Sequence, residues 1–565
     1  MTAVRRLITI FTLSLAATAL VAQESQAPRT TAAITAETDK DATDPRALRL
    51  TLNDALTTAM QQNLGIVLED YEYRISDQNL RGQYGVFDFN TDGSLSHGST
   101  KSPTSNPFQT AGGRSTRLTA GVSQIIPTGG DYSISLDTSR ATKVGGGTFV
   151  NPQYSNSLDF TFTQPLLKDF GVDITSRGIT IARNNLGITE GTFKITVMDT
   201  VSAVEQAYLD LIYARRAVGV VKESLFLARD QARITQIRID VGASAPLDIL
   251  QPRVTIATTE EQLIRAVASV RNAEDRLRAL LNLPTSEWDR PIVPAEDVTY
   301  TPMTIDFQQS VERAFANRPE ITQRQLASDT ARIQALYRRN QVLPTVDFVT
   351  TYGLQGQAGR RQELDANGDP TGRTVTDPYT DTFSQIAGLD FPGWSVGFNF
   401  GMPILNISAR ADARAAALAL DQSKTLEEQT RQNIAVDVRS AARSVDEFAQ
   451  SIAATKAARE AAEKNVDAER KRYENGMTTN FQVLEVQQQL SDSRVSELQA
   501  IVGYNKAVAA FHRAVGDILD VHDIRLAPPE KTPEPTLGRW LDKYNWLNYG
   551  SHVPQNGTQK TEGQQ

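Results

Sequence analysis

The sequence predicts a mainly α-helical chain with a smaller β part, folded from a strand–strand–long-helix unit that occurs twice. Three observations carry that prediction. The segment Arg238-Ile239-Asp240-Val241-Gly242-Ala243 recurs in kind as Arg472-Tyr473-Glu474-Asn475-Gly476-Met477, 234 positions later. In both, a glycine past a helix end supplies the left-handed residue that closes it, and a new helix follows at once. Apolar residues then step by four and three at Val197, Val201, Val204, Tyr208 and Leu211, and again at Ile434, Val438, Ala441, Val445, Phe448 and Ile452. That is heptad spacing, whose stripes need partner helices. Ahead of each long helical stretch lie short segments that alternate aromatic and polar residues, the period of a strand facing two environments.

The chain has 565 residues, 40% hydrophobic and 22% charged, enough for one elongated body or several ordinary domains. Its formal charge of -8 argues against a nucleic-acid partner, because phosphate binding needs a basic surface. Residues 1–22 place Arg5 and Arg6 before a short apolar run and a small-residue exit, the pattern of a secretory signal peptide. Residues 23–49, rich in Thr, Ala and Asp, read as a flexible leader. With no cysteine, the chain has neither a disulfide framework nor a lipid-anchoring thiol. Beyond the signal there is no apolar run of about 18 residues, so a membrane crossing would have to use strands.

Repeat 1 spans 50–290, repeat 2 spans 291–525, and 526–565 form a C-terminal tail. Each repeat opens on a helix: Phe307, Val311, Ala314, Phe315 and Ile321 match Leu52, Leu56, Ala59, Met60 and Ile66 at a constant offset of 255. Strands are predicted at Gly85–Asn90 with a counterpart at Val346–Phe348, and at Leu158–Pro165 with a counterpart at Trp394–Pro403, two per repeat. Repeat 1 carries 21 more residues between its paired strand positions, including alternating runs from Leu118 to Asp137 around Thr128-Gly129-Gly130, a hairpin signal. The hairpin is either an external loop or an extension of the strands. The alternation itself fits a half-buried sheet on a soluble core, the simpler reading of the strands alone, or membrane strands with a wet lumen behind them. Asp365-Ala366-Asn367-Gly368-Asp369 lacks the glycine placement and distal glutamate of a calcium loop and reads as a solvated turn.

The helix predicted from about Ile174 to Ile239 is far too long for a compact domain, about 100 Å at 1.5 Å per residue. Alanine-rich faces at Ala415–Ala419 and Ala457–Ala462 suit close lateral packing; a free coiled-coil rod is the plainer alternative. Pro252, opposite Val486 in the other repeat, predicts a kink in the first returning helix. Trp540, Tyr544, Trp546 and Tyr549 in the tail are expected to pack on the helical body.

The helix ending Arg472-Tyr473-Glu474-Asn475-Gly476, the turn, the start Phe481-Gln482-Val483-Leu484-Glu485-Val486-Gln487, and the long helix closing at Ala514-Val515-Gly516 together resemble the TolC-like outer membrane efflux protein family. Nearly the whole mature chain is covered. The resemblance implies a homotrimer whose 12-stranded transmembrane β-barrel continues into an α-helical tunnel in the periplasm. Four strands per chain would otherwise leave raw edges in lipid, which only oligomerisation removes. It also implies a periplasmic adaptor and an inner-membrane transporter as partners, with the chain as a passive outlet for efflux or type I secretion. At the entrance it implies a coil-linking tyrosine at Tyr473 with a counterpart at Asp248, inward-facing positions at Gln482 and Glu485, and adaptor contacts at the turns Val241, Gly242, Ala243 and Asn475, Gly476, Met477. Of the two inward positions only Glu485 is charged, and Thr478 stands where the family pattern has an arginine.

The alternative is a periplasmic structural or adaptor-type coiled coil, which leaves the aromatic strands unexplained. An exported enzyme has the least support: His97, His512, His522 and His552 are scattered, and no nucleophile, metal or phosphate-loop motif is present, so no cofactor is expected.

Overall fold

The computed structural model describes residues 45–106, 109–145, 149–366 and 370–526. The signal segment, most of the leader, the tail aromatics and Asn367, Gly368 and Asp369 of the Asp365 turn lie outside the described residues.

Each repeat opens on a matched pair of helices. In repeat 1 these are α1 (Leu52–Gln62) and α2 (Leu64–Gln83). Thr51 and Asp54 form a reciprocal capping box at the start of α1, Asp54 N–H to Thr51 Oγ1 and Thr51 N–H to Asp54 Oδ2, both 3.1 Å. In repeat 2 the pair is α5 (Phe307–Asn317) and α6 (Pro319–Asn340), with Asp306 accepting from Gln309 N–H at 3.0 Å. The 255-residue offset therefore holds to the residue at the helix starts. A feature invisible in the sequence lies beside α1, where strand β1 (Leu48–Leu50) pairs in parallel with β6 (Ile292–Pro294). Three-residue strands are too short to show a period.

The sheet corrects the expected strand count. Repeat 1 contributes four strands, β2 (Asn90–Lys101), β3 (Gly112–Ile125), β4 (Asp131–Val144) and β5 (Val150–Pro165). Repeat 2 contributes β7 (Thr345–Leu364), β9 (Pro392–Gly401) and the short β8 (Pro370–Thr376), which covers only the far end of β7. All pairings are antiparallel, in the order β2-β3-β4-β5-β7-β9. Six strands thus run the sheet, not four. The extra pair is the hairpin around Thr128-Gly129-Gly130: its strands join the sheet in full, and its turn lies at the helical end, where Gly171 N–H donates to Thr128 O at 2.9 Å. Gly129 there has φ +91°. The strand expected at Gly85–Asn90 is a 3-10 turn over Tyr84–Phe87; pairing starts only at Asn90. Leu95 is the one large aliphatic in β2, so that strand left no alternating signal.

Two long helices leave the sheet. Helix α3 (Arg177–Asp240) has 64 residues and α8 (Ile407–Glu474) has 68. At 1.5 Å per residue each is about 100 Å long. They return as α4 (Leu250–Leu281) and α9 (Asn480–Val515). The predicted stripes fill two separate cores. Val197, Val201, Val204, Tyr208 and Leu211 lie in one, and Ile434, Val438, Val445 and Ile452 in the other, with Ala441 and Phe448 packed against it. Residues Ala415–Ala419 stay largely exposed on α8. Pro252 does not kink a returning helix, because α4 starts only at Leu250 and a proline in a first turn removes no helical hydrogen bond. A 3-10 turn over Pro246–Ile249 replaces the α-helical start that α9 makes at the matching position, so the repeats do differ there.

An ion-pair cluster of repeat 2, in which Arg318 pairs with Glu320 at 2.6 Å and Asp437 on α8 at 3.3 Å and Arg513 reaches Glu320 at 3.7 Å, is joined to repeat 1 by the pair of Arg513 with Asp199 on α3. Burial opposes the charge of Glu320, but hydrogen bonds from Arg318 and its own backbone, with Arg318 and Arg513 nearby, outweigh it and hold the carboxyl below its ordinary value. A depressed pKa adds stability that is present above the unfolded value near 4.5 and is lost as pH falls through the folded value. Glu320→Gln is therefore expected to lower the melting temperature by roughly 2–4 °C at neutral pH. The gap from the parent should close on acidification below about pH 4.5, which melts across that range will read.

Candidate membrane belt and periplasmic entrance

The register sorts the sheet residues onto two chemically opposite faces. Reading across β3, β4, β5, β7 and β9, one row is Val122, Ile134, Phe160, Tyr352 and Trp394; the next is Ala120, Leu136, Leu158, Leu354 and Pro392. Further towards the helices, Phe162 is followed by Phe348 and Phe398 in one row and by Val346 and Phe400 in the next, and at the other end Leu95 pairs with Leu118. The alternate rows are polar, such as Ser123, Ser133, Thr161, Thr351 and Ser395, or Gly121, Ser135, Asp159, Gly353 and Gly393. Polar-face side chains bond one another: Ser94 to Thr119 at 2.7 Å, Thr351 to Ser395 at 2.7 Å, and Arg117 to Asp137 at 2.6 Å.

Most of the apolar face is exposed; the segment Thr380–Ala387 covers it around Asn156 and Gly356, and Leu354 is buried. Trp394 is 76% exposed and Phe400 75%. An apolar surface running across five strands, to which β2 adds Leu95, exceeds what a soluble monomer leaves open. At about 3.4 Å per residue, tilted by about 40°, the ten residues of β9 cross about 26 Å, the height of the apolar band of a transmembrane barrel. Among the described residues no helix is long and apolar enough to cross a membrane.

At the far end of the helices the two turns are built alike. Gly242 and Gly476 have φ +78° and +71°, which L side chains rarely adopt. Ala243 N–H donates to Arg238 O at 2.7 Å and Met477 N–H to Arg472 O at 2.9 Å, the long-range bond that ends a helix in a Schellman motif. Val241 and Met477, 73% and 71% exposed, cap the tips, with Leu247 and Phe481 exposed beside them.

Tyr473 contacts the neighbouring coil through Arg238, a residue the sequence reading gave no role. Its buried ring lies 4.5 Å from the Arg238 guanidinium, and Arg238 Nη1 donates to Tyr473 O at 2.8 Å. The Asp248 carboxylate instead caps its own turn, accepting from Ala245 N–H at 3.1 Å, and the structure does not bring it to Tyr473. Arg238 is the counterpart of Arg472 under the 234-residue offset, so the repeat marked the position without marking its task. Above this contact, Gln231 Nε2 donates to Asn480 Oδ1 at 2.6 Å, and Arg494 bridges Glu223 at 2.7 Å and Glu463 at 3.4 Å. Gln482 and Glu485 are both exposed, one turn apart at the start of α9, so they share a face. Glu485 has no ion-pair partner among the described residues.

Comparison with known proteins agrees with this geometry. Residues 92–283 and 311–517, well over half of the chain, match the model of the family described as outer membrane efflux protein. Nodulation protein T of Rhizobium leguminosarum bv. trifolii is 21% identical over 367 residues, 64% of this chain and 72% of that protein. The CmeC outer membrane channel of Campylobacter jejuni superposes with a TM-score of 0.61 at 14% identity, over 91% of this chain and 94% of CmeC. The outer membrane protein VceC of Vibrio cholerae gives 0.59 at 14% identity, over 82% and 96%. The chain belongs to the outer membrane efflux protein family, with its sheet in the outer membrane and its helices in the periplasm.

Proposed function

We propose that the protein is the passive outer-membrane conduit of a tripartite efflux or type I secretion system, working as a homotrimer. The apolar belt carries this reading, since register aligns it across five strands, backs it with a polar face, and leaves most of it exposed. The sheet also ends on two strands with one free edge each, β2 and β9, and free edges are not tolerated in lipid. Three copies of six strands give a barrel of eighteen, in place of the twelve that two strands per repeat implied. Barrels of that size leave an aqueous channel. Four long helices per chain would continue it as a tunnel of twelve.

The turns at Val241, Gly242 and Ala243 and at Asn475, Gly476 and Met477 are the proposed adaptor contacts, because their apolar tips are exposed and glycine lets another backbone approach. Energy would come from an inner-membrane transporter bound through that adaptor. Tyr473 and Asp248 belong to the closed entrance, and three copies each of Gln482 and Glu485 would face its bore. Three carboxylates in a narrow bore attract cations. Glu485→Gln is expected to lower the cation-to-anion permeability ratio at least about twofold in planar bilayers under a salt gradient. An unchanged ratio would remove Glu485 from the bore. A periplasmic coiled coil without a barrel predicts no conductance at all and leaves the belt exposed to water.

A further inference from the structure

Just beyond the last apolar row the outward face becomes basic. Lys101 ends β2, Arg114 lies on β3 and Arg140 on β4, and pairing puts all three on the face that carries Leu95, Leu118 and Leu136. Lys101 lies opposite Gly112, two residues from Arg114; Arg114 lies opposite Thr142, two residues from Arg140. With strands about 4.8 Å apart and about 3.4 Å per residue, neighbouring cations are set diagonally with Cα atoms about 8 Å apart. All three side chains are exposed, and none has an ion-pair partner among the described residues. On these strands and in these rows the same face holds no carboxylate; Asp137 lies on the opposite face, bonded to Arg117.

Aromatic groups flank the cluster at the same level. The Arg140 guanidinium is 6.0 Å from the Tyr154 ring, which contacts Tyr379 at 5.4 Å. Tyr379 precedes helix α7 (Thr380–Ala387), which lies across the face over Gly356 and Gln357 and leaves Phe383 exposed. Cations above an apolar band, beside rings, match the interface of a leaflet whose headgroups are anionic.

We propose that Lys101, Arg114 and Arg140 form a binding site for a phosphorylated lipid headgroup of the outer leaflet. The inference rests on the channel reading, because it needs this face to meet lipid. Three cations fixed by strand register can hold phosphate oxygens together, with the acyl chains lying on the Leu95–Leu118 row below. The site would fix the depth and orientation of the barrel rim.

The test uses the full-length channel extracted from outer membranes in detergent and titrated with lipid A by native mass spectrometry. Lys101→Gln, Arg114→Gln and Arg140→Gln together should weaken lipid A binding about tenfold or more. Lys143→Gln, on β4 but on the opposite face, should leave it within about twofold. If the triple variant does not assemble, Arg114→Gln alone should still weaken binding about threefold. Equal binding by parent and variants overturns the proposal, as does equal binding of dephosphorylated lipid A. Displacement of lipid A by millimolar inorganic phosphate would make this a free-phosphate site and overturns the lipid assignment. Failure of the protein to reach the outer membrane sinks the channel reading; a normally assembled channel with unaltered lipid binding sinks this inference alone.

Discussion

Val396→Arg is expected to abolish assembly in the outer membrane, while Ser395→Arg, one residue away, leaves it intact. The two side chains point to opposite faces of β9. Val396 lies in the row of Thr350 and Phe162, near the middle of the apolar belt, and Ser395 bonds Thr351 on the polar face. An arginine at the midplane of a barrel's lipid face costs about 2–4 kcal/mol per copy, paid three times in a trimer, whereas a lumen-facing arginine meets water. Outer-membrane fractionation with heat-modifiable electrophoresis reads the difference. Equal behaviour of the two variants would show that this face does not contact lipid, since only a lipid-facing position penalises arginine at Val396 and not at Ser395.

Tyr473→Ala and Arg238→Ala are each expected to raise channel conductance several-fold, and Tyr473→Phe is expected to leave it unchanged. The link uses the tyrosine ring and its backbone carbonyl, with Arg238 supplying both contacts. A cation over an aromatic face contributes about 0.5–2 kcal/mol and a charged hydrogen bond about 1.5–3 kcal/mol, so losing Arg238 removes enough to shift a closed entrance by at least tenfold. Tyr473→Phe separates this account from the one the family resemblance implied. A phenol-to-Asp248 link would fail on loss of the hydroxyl; a ring-to-Arg238 link would not. Single-channel recording in planar bilayers distinguishes them, and a leaky Tyr473→Phe channel would overturn the Arg238 assignment.

Much of the helical body was legible because long heptads and matched glycine turns are periodic over many residues. Val438 and Val201 fall in the two cores where their spacing placed them, and Gly242 and Gly476 close their helices with the same bonds. The sheet was legible where aromatics alternate: Leu158–Pro165 and Val346–Phe348 lie in β5 and β7, and Trp394–Pro403 lies in β9 up to Gly401. Strand β2 was missed because its sequence, Asn90 to Lys101, is polar on both faces apart from Leu95, and a barrel strand needs no apolar residue at every outward position to pair. The inserted hairpin was seen, but sequence could not say whether it joined the sheet; the register of β3 against β2 and of β4 against β5 decides it. The entrance was least legible. Tyr473 could be located by its distance from Gly476, but its partner depends on how two helices 234 residues apart turn against each other, and no spacing along one strand of sequence contains that angle.

The most direct test of the channel account is disulfide cross-linking between the two free sheet edges. The chain has no cysteine, so each introduced pair is unique. Ser395→Cys on β9 would be combined in turn with Asn90→Cys, Asp92→Cys, Ser94→Cys and Ser96→Cys on β2, all on the polar face. Oxidised outer membranes run without reductant should show, for at least one pair, a ladder that stops at three chains, as expected of an eighteen-stranded barrel closed edge to edge. Only intramolecular products, or no cross-link for any pair in a protein recovered as a soluble monomer, would contradict it.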